Sequence, residues 1–138
     1  MRPTEYNINR LSYKLFRIIF ILCAIYFLLM GLVLIFSPQV LIKGISDAET
    51  NPVIIGMLRG AGGSIIPYAL LYILVCMDPF KRQWALMVLL LANFTAIVLD
   101  LASVMLGEYK FSYALFDIPV EVLSITGIGI IYLIRKKM

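Results

Sequence analysis

Histidine is absent from the chain, and cysteine occurs twice, at Cys23 and Cys76. Without imidazole, histidine-ligated haem and most zinc sites are excluded, and two distant cysteines cannot build a metal cage. No metal and no cofactor is expected. Charge is also scarce: Asp, Glu, Lys and Arg make up 14% of the chain. Hydrophobic residues make up 62%, at a mean hydropathy of +0.99, more apolar surface than one soluble core of 138 residues could hide. The chain therefore belongs in a lipid bilayer.

A bilayer core about 30 Å thick needs roughly 20 apolar residues per helical crossing. Four runs meet that length, at about 15–36, 53–77, 84–106 and 115–134. Backbone polar groups cannot stay unpaired in lipid, and the links between the runs are short, so neighbouring runs are antiparallel helices. The expected fold is all-α, a single polytopic membrane four-helix bundle over 1–138. The first run is too long for a signal-peptide core and has no small-x-small cleavage site. Cys23 and Cys76 lie toward the cytoplasmic ends of their spans, where disulfides are disfavoured, and read as core filler.

The basic residues orient the bundle. Arg2, Arg10, Lys14 and Arg17 precede the first span, Lys81 and Arg82 join the second and third, and Arg135, Lys136 and Lys137 close the chain. Only Lys43 and Lys110 fall in the opposite loops. By the positive-inside rule both termini are expected to be cytoplasmic. Attraction to anionic headgroups accounts for the net charge of +4 without nucleic acid as a partner. In "NRLSYKLFRI", Arg10, Lys14 and Arg17 share one side of a helix start and can snorkel to headgroups. The loop "SPQVLIKGISDAETNP" has breakers at both ends and suits a short helix lying on the membrane.

The polar residues inside the spans are the candidate site. Arg59 falls six residues after Val53, roughly 9 Å below the outer surface, and Asp100, six before Leu106, lies at a similar depth. Asp117 and Glu121 share a face of the fourth span. An intramembrane charge costs about 2.5–3.5 kcal/mol even on the lenient insertion scale, so the four are expected to converge inside the bundle. Arg59 would then be held by Asp100 and Glu121 through forked hydrogen bonds. Asn93 extends the track along the face of Asp100, and Ser124 continues that of Glu121. Helix-start capping explains Asp117 equally well, with Pro119 tolerated in the first turn.

Gly56, Gly60 and Ser64 recur at every fourth position and predict a close helix contact. Pro67 removes the donor for the carbonyl of Gly63 and predicts a kink. Tyr68 and Tyr72 read as packing residues. Ser64, Ser103 and Ser124 have no base of the usual kind, so an enzyme is not expected. One positive and three negative charges call for a proton, a cation or a second donor beside them. Three functions fit: an outward-facing site for a small polar or lipid-like ligand, an accessory subunit of a membrane complex or homo-oligomer with a purely structural network, or a proton- or cation-coupled transporter. Small multidrug exporters are four-helix chains of similar length, but their acidic residue lies in the first span, which has none here.

"FSPQ" after the first span, "LRGAGG" opening the second, "DPFKRQWAL" at the turn, an aspartate late in the third and "PVEVLSITG" in the fourth form a recognisable succession. Over roughly residues 18 to 134 the chain resembles a family of small four-helix bacterial membrane proteins, domain of unknown function 4345. The resemblance implies that Arg59 and Glu121 match family positions. It also implies a departure, because the family often has an arginine in the third span where this chain has Asn93 to Ala96. No activity comes with it.

Overall fold

The computed structural model describes residues 3–45, 51–108 and 111–136. Arg2, Asp47, Lys110 and Lys137, which enter the charge and loop readings, lie outside them. Five helices follow in order: α1 (Pro3–Phe36), α2 (Pro38–Ile45), α3 (Pro52–Met77), α4 (Gln83–Met105) and α5 (Phe111–Lys136). All described elements are helical, and Arg10–Phe36, Pro52–Met77, Gln83–Met105 and Ala114–Lys136 are long and apolar enough to cross a membrane. α2 is the short helix after the first span. It buries Ile42 and exposes Val40.

Local chemistry sets the helix ends. The Asn51 side chain accepts the Val53 N–H at 2.8 Å, and Pro52 sits where a missing donor costs nothing. Pro79 disfavours helical backbone at Asp78 and so ends α3 at Met77. In the turn that follows, Asp78 accepts the Lys81 N–H at 3.1 Å and pairs with Lys81 Nζ at 3.5 Å. These bonds hold the Asp78 carboxyl below the usual carboxylate range. Its support for the turn is thus present above the unfolded pKa and fades as pH falls through the lowered one. Gly107, at φ 72°, closes α4 in the left-handed region while Glu108 N–H reaches back to Ser103 O at 2.9 Å.

α5 begins at Phe111, earlier than the sequence suggested. Asp117 is consequently an interior helical residue and not a cap, and Pro119 lies inside the helix. The Tyr113–Asp117 stretch is helix-compatible, and nothing before it breaks the pattern until Gly107.

Contacts run antiparallel throughout, with Gly31 against Gly62, Phe20 against Tyr72, and Phe20 against Gly127. α1 is central and packs on α3 and α5, and α4 packs on α5. Rings fill the core: Phe16 and Phe20 have centroids 4.4 Å apart, Phe20 and Tyr72 5.2 Å, and Phe27 and Tyr72 5.4 Å. Cys23 and Cys76 are free thiols buried in it. Outward faces carry Leu29, Met57, Leu91, Phe94 and Leu133, all more than half exposed, the surface expected of helices solvated by lipid.

The glycines that matter for packing are not the ones the sequence nominated. A Cβ on Gly62 would stand 2.7 Å from the Gly31 carbonyl oxygen and 2.8 Å from Leu34 Cβ. Gly56, Gly60 and Gly63 are exposed and a Cβ on each would meet nothing within 4 Å. Ser64 is exposed as well, its hydroxyl donating to Gly60 O at 3.1 Å in its own helix, and Pro67 is exposed within α3. The helix contact uses Gly31 and Gly62, and Gly62 stands two residues from Gly60, so on roughly the opposite side of α3 from the predicted stripe.

Candidate functional site

Consecutive helices α3 and α4 share only a small contact, far less than α1 shares with α3. Between them lies a cavity of about 570 Å³. α1 forms its back wall through Tyr26, Phe27 and Met30, α3 contributes Tyr68 and Tyr72, and α4 supplies mainly apolar residues from Val88 to Leu99, with Asn93 and Thr95 among them. The cavity therefore opens sideways, between α3 and α4. Its polar wall positions are few, chiefly Asn93 and Asp117 with the tyrosine hydroxyls.

A polar seam runs behind this wall. Asn93 follows Leu86 and Leu89 on the buried face of α4, which turns its amide inward. Its Nδ2 donates to Leu89 O at 2.6 Å and to Tyr72 Oη at 2.7 Å. Tyr72 Oη lies 2.6 Å from Ser124 Oγ, closing a bridge from α4 through α3 to α5. Asp117, Glu121 and Ser124 share the inner face of α5 with Ala114 and Ile128. Toward the α2 end of the bundle, the Tyr26 hydroxyl donates to Asp117 Oδ1. Glu121 is 5% exposed, and its Oε2 is buried with no hydrogen-bond partner among the described residues. Among the described residues, the ionisable groups that bear on Glu121 are the carboxyls of Asp100 and Asp117.

Of the sequence-nominated residues, Asp100, Asp117 and Glu121 come within electrostatic reach of one another, and Asn93 occupies the same seam. Arg59 does not join them. It is exposed, and Lys81 with Asp78 form the only ion pair among the described residues. The physical reason is the length of the side chain: an arginine on an outer helix turn can run along the helix to the headgroups and need not enter the bundle. Two seam residues escaped sequence reasoning, Tyr26 and Tyr72. Tyr72 is fully buried, and a buried phenol needs a partner for its hydroxyl. The signal available beforehand was an uncharged amide, Asn93, in an apolar span with no stated partner.

No histidine lies in the chain, and no group of three or more Cys, Asp or Glu among the described residues is arranged to hold a metal ion. What the arrangement offers is a lateral apolar recess with aromatic rings, one amide and one carboxylate on its wall, and further carboxylates behind.

Four apolar helices around such a seam define a multi-pass α-helical membrane protein. A family model covers residues 15–133, and the chain belongs to that family, the Domain of unknown function (DUF4345). No curated protein and no solved structure matches the chain.

Proposed function

We propose that the chain is a non-enzymatic protein of a bacterial-type inner membrane that binds a small amphiphilic molecule in the recess between α3 and α4. The observation that carries this reading is the recess itself. Its volume of about 570 Å³ falls among small-molecule sites, and its few polar groups sit on one side of an apolar, aromatic wall. A lipid-facing mouth admits a ligand already dissolved in the bilayer. Ser124 supports the non-enzymatic side of the reading, because its hydroxyl is tied to Tyr72 and not to a base.

The test is to fill the recess. Ala92 and Ala96 line it, so Ala92→Trp and Ala96→Trp place an indole where the ligand would lie. Small molecules that co-purify with the wild type in mild detergent, identified by mass spectrometry, should be lost from both variants while their melting temperatures hold. The same molecules retained on both folded variants would remove the recess from consideration. An accessory-subunit or homo-oligomer role is favoured by a different observation, the exposed small residues Gly56, Gly60, Gly63 and Ser64 beside Arg59, a surface on which another helix can lie closely.

Both termini are assigned to the cytoplasm on the charge distribution. Reporter fusions at either terminus and near Lys81 should read cytoplasmic, and fusions near Asp47 and Glu108 external. An external carboxy terminus is incompatible with four crossings that start inside.

A further inference from the structure

Charge sorts the chemistry that the recess can take. Asp117 is the carboxylate on its wall, and the Tyr26 hydroxyl occupies Oδ1, leaving Oδ2 with no protein partner among the described residues. One helical turn further along α5 stands Glu121, nine-tenths buried or more, with an oxygen that has no hydrogen-bond partner among the described residues. Among the described residues, the ionisable groups acting on it are the carboxyls of Asp100 and Asp117. An anionic ligand would add to that repulsion, and a neutral one would leave it as it is. A cation offsets it.

The kind of cation follows from the wall. A small inorganic ion needs several oxygen ligands in a tight shell; no group of three or more Cys, Asp or Glu among the described residues could hold one, and the recess presents one carboxylate, one amide and scattered hydroxyls among aliphatic and aromatic side chains. Tyr26, Phe27, Tyr68 and Tyr72 all border the space, and ring faces attract a diffuse, weakly hydrated cation most when water is excluded. The volume of about 570 Å³ accommodates a body of drug-like size. The open side between α3 and α4 meets hydrocarbon, where a charge spread over an apolar body is tolerated and a compact one is not.

We infer that the recess binds hydrophobic organic monocations, their charge set against Asp117 and their apolar body between the rings of α1 and α3 and the aliphatic face of α4. This rests on the recess being a ligand site, and it adds the sign of the ligand's charge.

Three probes of similar shape separate the two statements: tetraphenylphosphonium, tetraphenylborate and uncharged triphenylphosphine oxide. Each is equilibrated with the purified protein in lipid nanodiscs, with empty nanodiscs subtracted. Saturable binding of the phosphonium, about tenfold or more tighter than the borate, is expected. Asp117→Asn should weaken the phosphonium by about tenfold or more and leave the phosphine oxide unchanged, and Asp117→Glu should restore the preference. Ala96→Trp should abolish every probe. Equal binding of the two ions overturns the inference, as does a folded Asp117→Asn that holds the phosphonium at wild-type strength. If Asp117→Asn does not fold, the comparison of opposite ions on the wild type decides alone. Saturable binding of the phosphine oxide alone, blocked by Ala96→Trp, keeps the recess as a ligand site and overturns its charge preference. No saturable binding of any probe overturns both.

Discussion

Gly62→Ala lowers stability by about 2–3 kcal/mol, whereas Gly60→Ala, two residues away, is neutral or stabilising by up to about 1 kcal/mol. The added methyl is the same, and the helix gains the same propensity in both cases. At Gly62 that methyl lands 2.7 Å from the backbone oxygen of Gly31, 2.8 Å from Leu34 Cβ and 3.0 Å from Ile35 Cγ1. A carbonyl oxygen and a Cβ move only if their helix moves, and α1 is also fastened to α5 by Gly127 packed on Phe20. Relief at one contact therefore strains another. At Gly60 the methyl enters lipid. Gly31→Ala should fall between, because its nearest clash, 2.8 Å, is with a side-chain atom, Ile66 Cγ1, and the Gly62 oxygen is 3.1 Å away. Unfolding midpoints in one detergent rank the three. Equal losses at Gly60 and Gly62 would sink the Gly31–Gly62 contact.

Tyr72→Phe is expected to cost about 1–2 kcal/mol, large for one oxygen atom in a membrane helix. Hydrogen bonds between membrane helices are modest on average, since a loosened chain finds other partners for its polar groups. Tyr72 departs from that average by position. Its hydroxyl is fully buried and joins the Asn93 amide at 2.7 Å to the Ser124 hydroxyl at 2.6 Å, so its loss leaves two buried groups short of a partner. Asn93→Leu should cost a comparable amount. The double variant should lose less than the two added together, because it removes both ends of the strongest link and leaves mainly Ser124 to be satisfied. Strict additivity in reversible unfolding would show that the bridge does not act as a unit.

The class of the protein and the existence of its spans were legible because both follow from run length and apolar content, which lipid enforces with few exceptions. Which side of each helix faces inward was not. A soluble helix announces its buried face by contrast with its wet one. Here both faces are apolar, and α3 carries small residues at Gly56, Gly60, Ala61, Gly62, Gly63 and Ser64, which cover nearly every side of the helix. Spacing alone selected Gly56, Gly60 and Ser64 when the contact belongs to Gly62. The carboxylates were easier to place because they are short. Glu121 cannot reach the headgroups from its turn, so a location inside follows from cost, whereas Asp117 at the expected helix start read equally well as a cap. Applied to Arg59, the same cost argument failed, because a side chain of that length escapes it. Tyr72 passed as a packing residue and Tyr26 was not singled out, because a phenol's hydroxyl matters only once its partner is known.

The gap between α3 and α4 also sets what the recess holds in the absence of any ligand. A volume of that size open to hydrocarbon does not stay empty, and acyl chains of surrounding lipids are the molecules at hand. Every ligand then competes with the bilayer itself, at the very high local concentration of a solvent. Chain length, unsaturation and leaflet packing thereby become thermodynamic variables of the site. Occupancy of the proposed site would then follow the fluidity of the membrane as well as the abundance of its ligand.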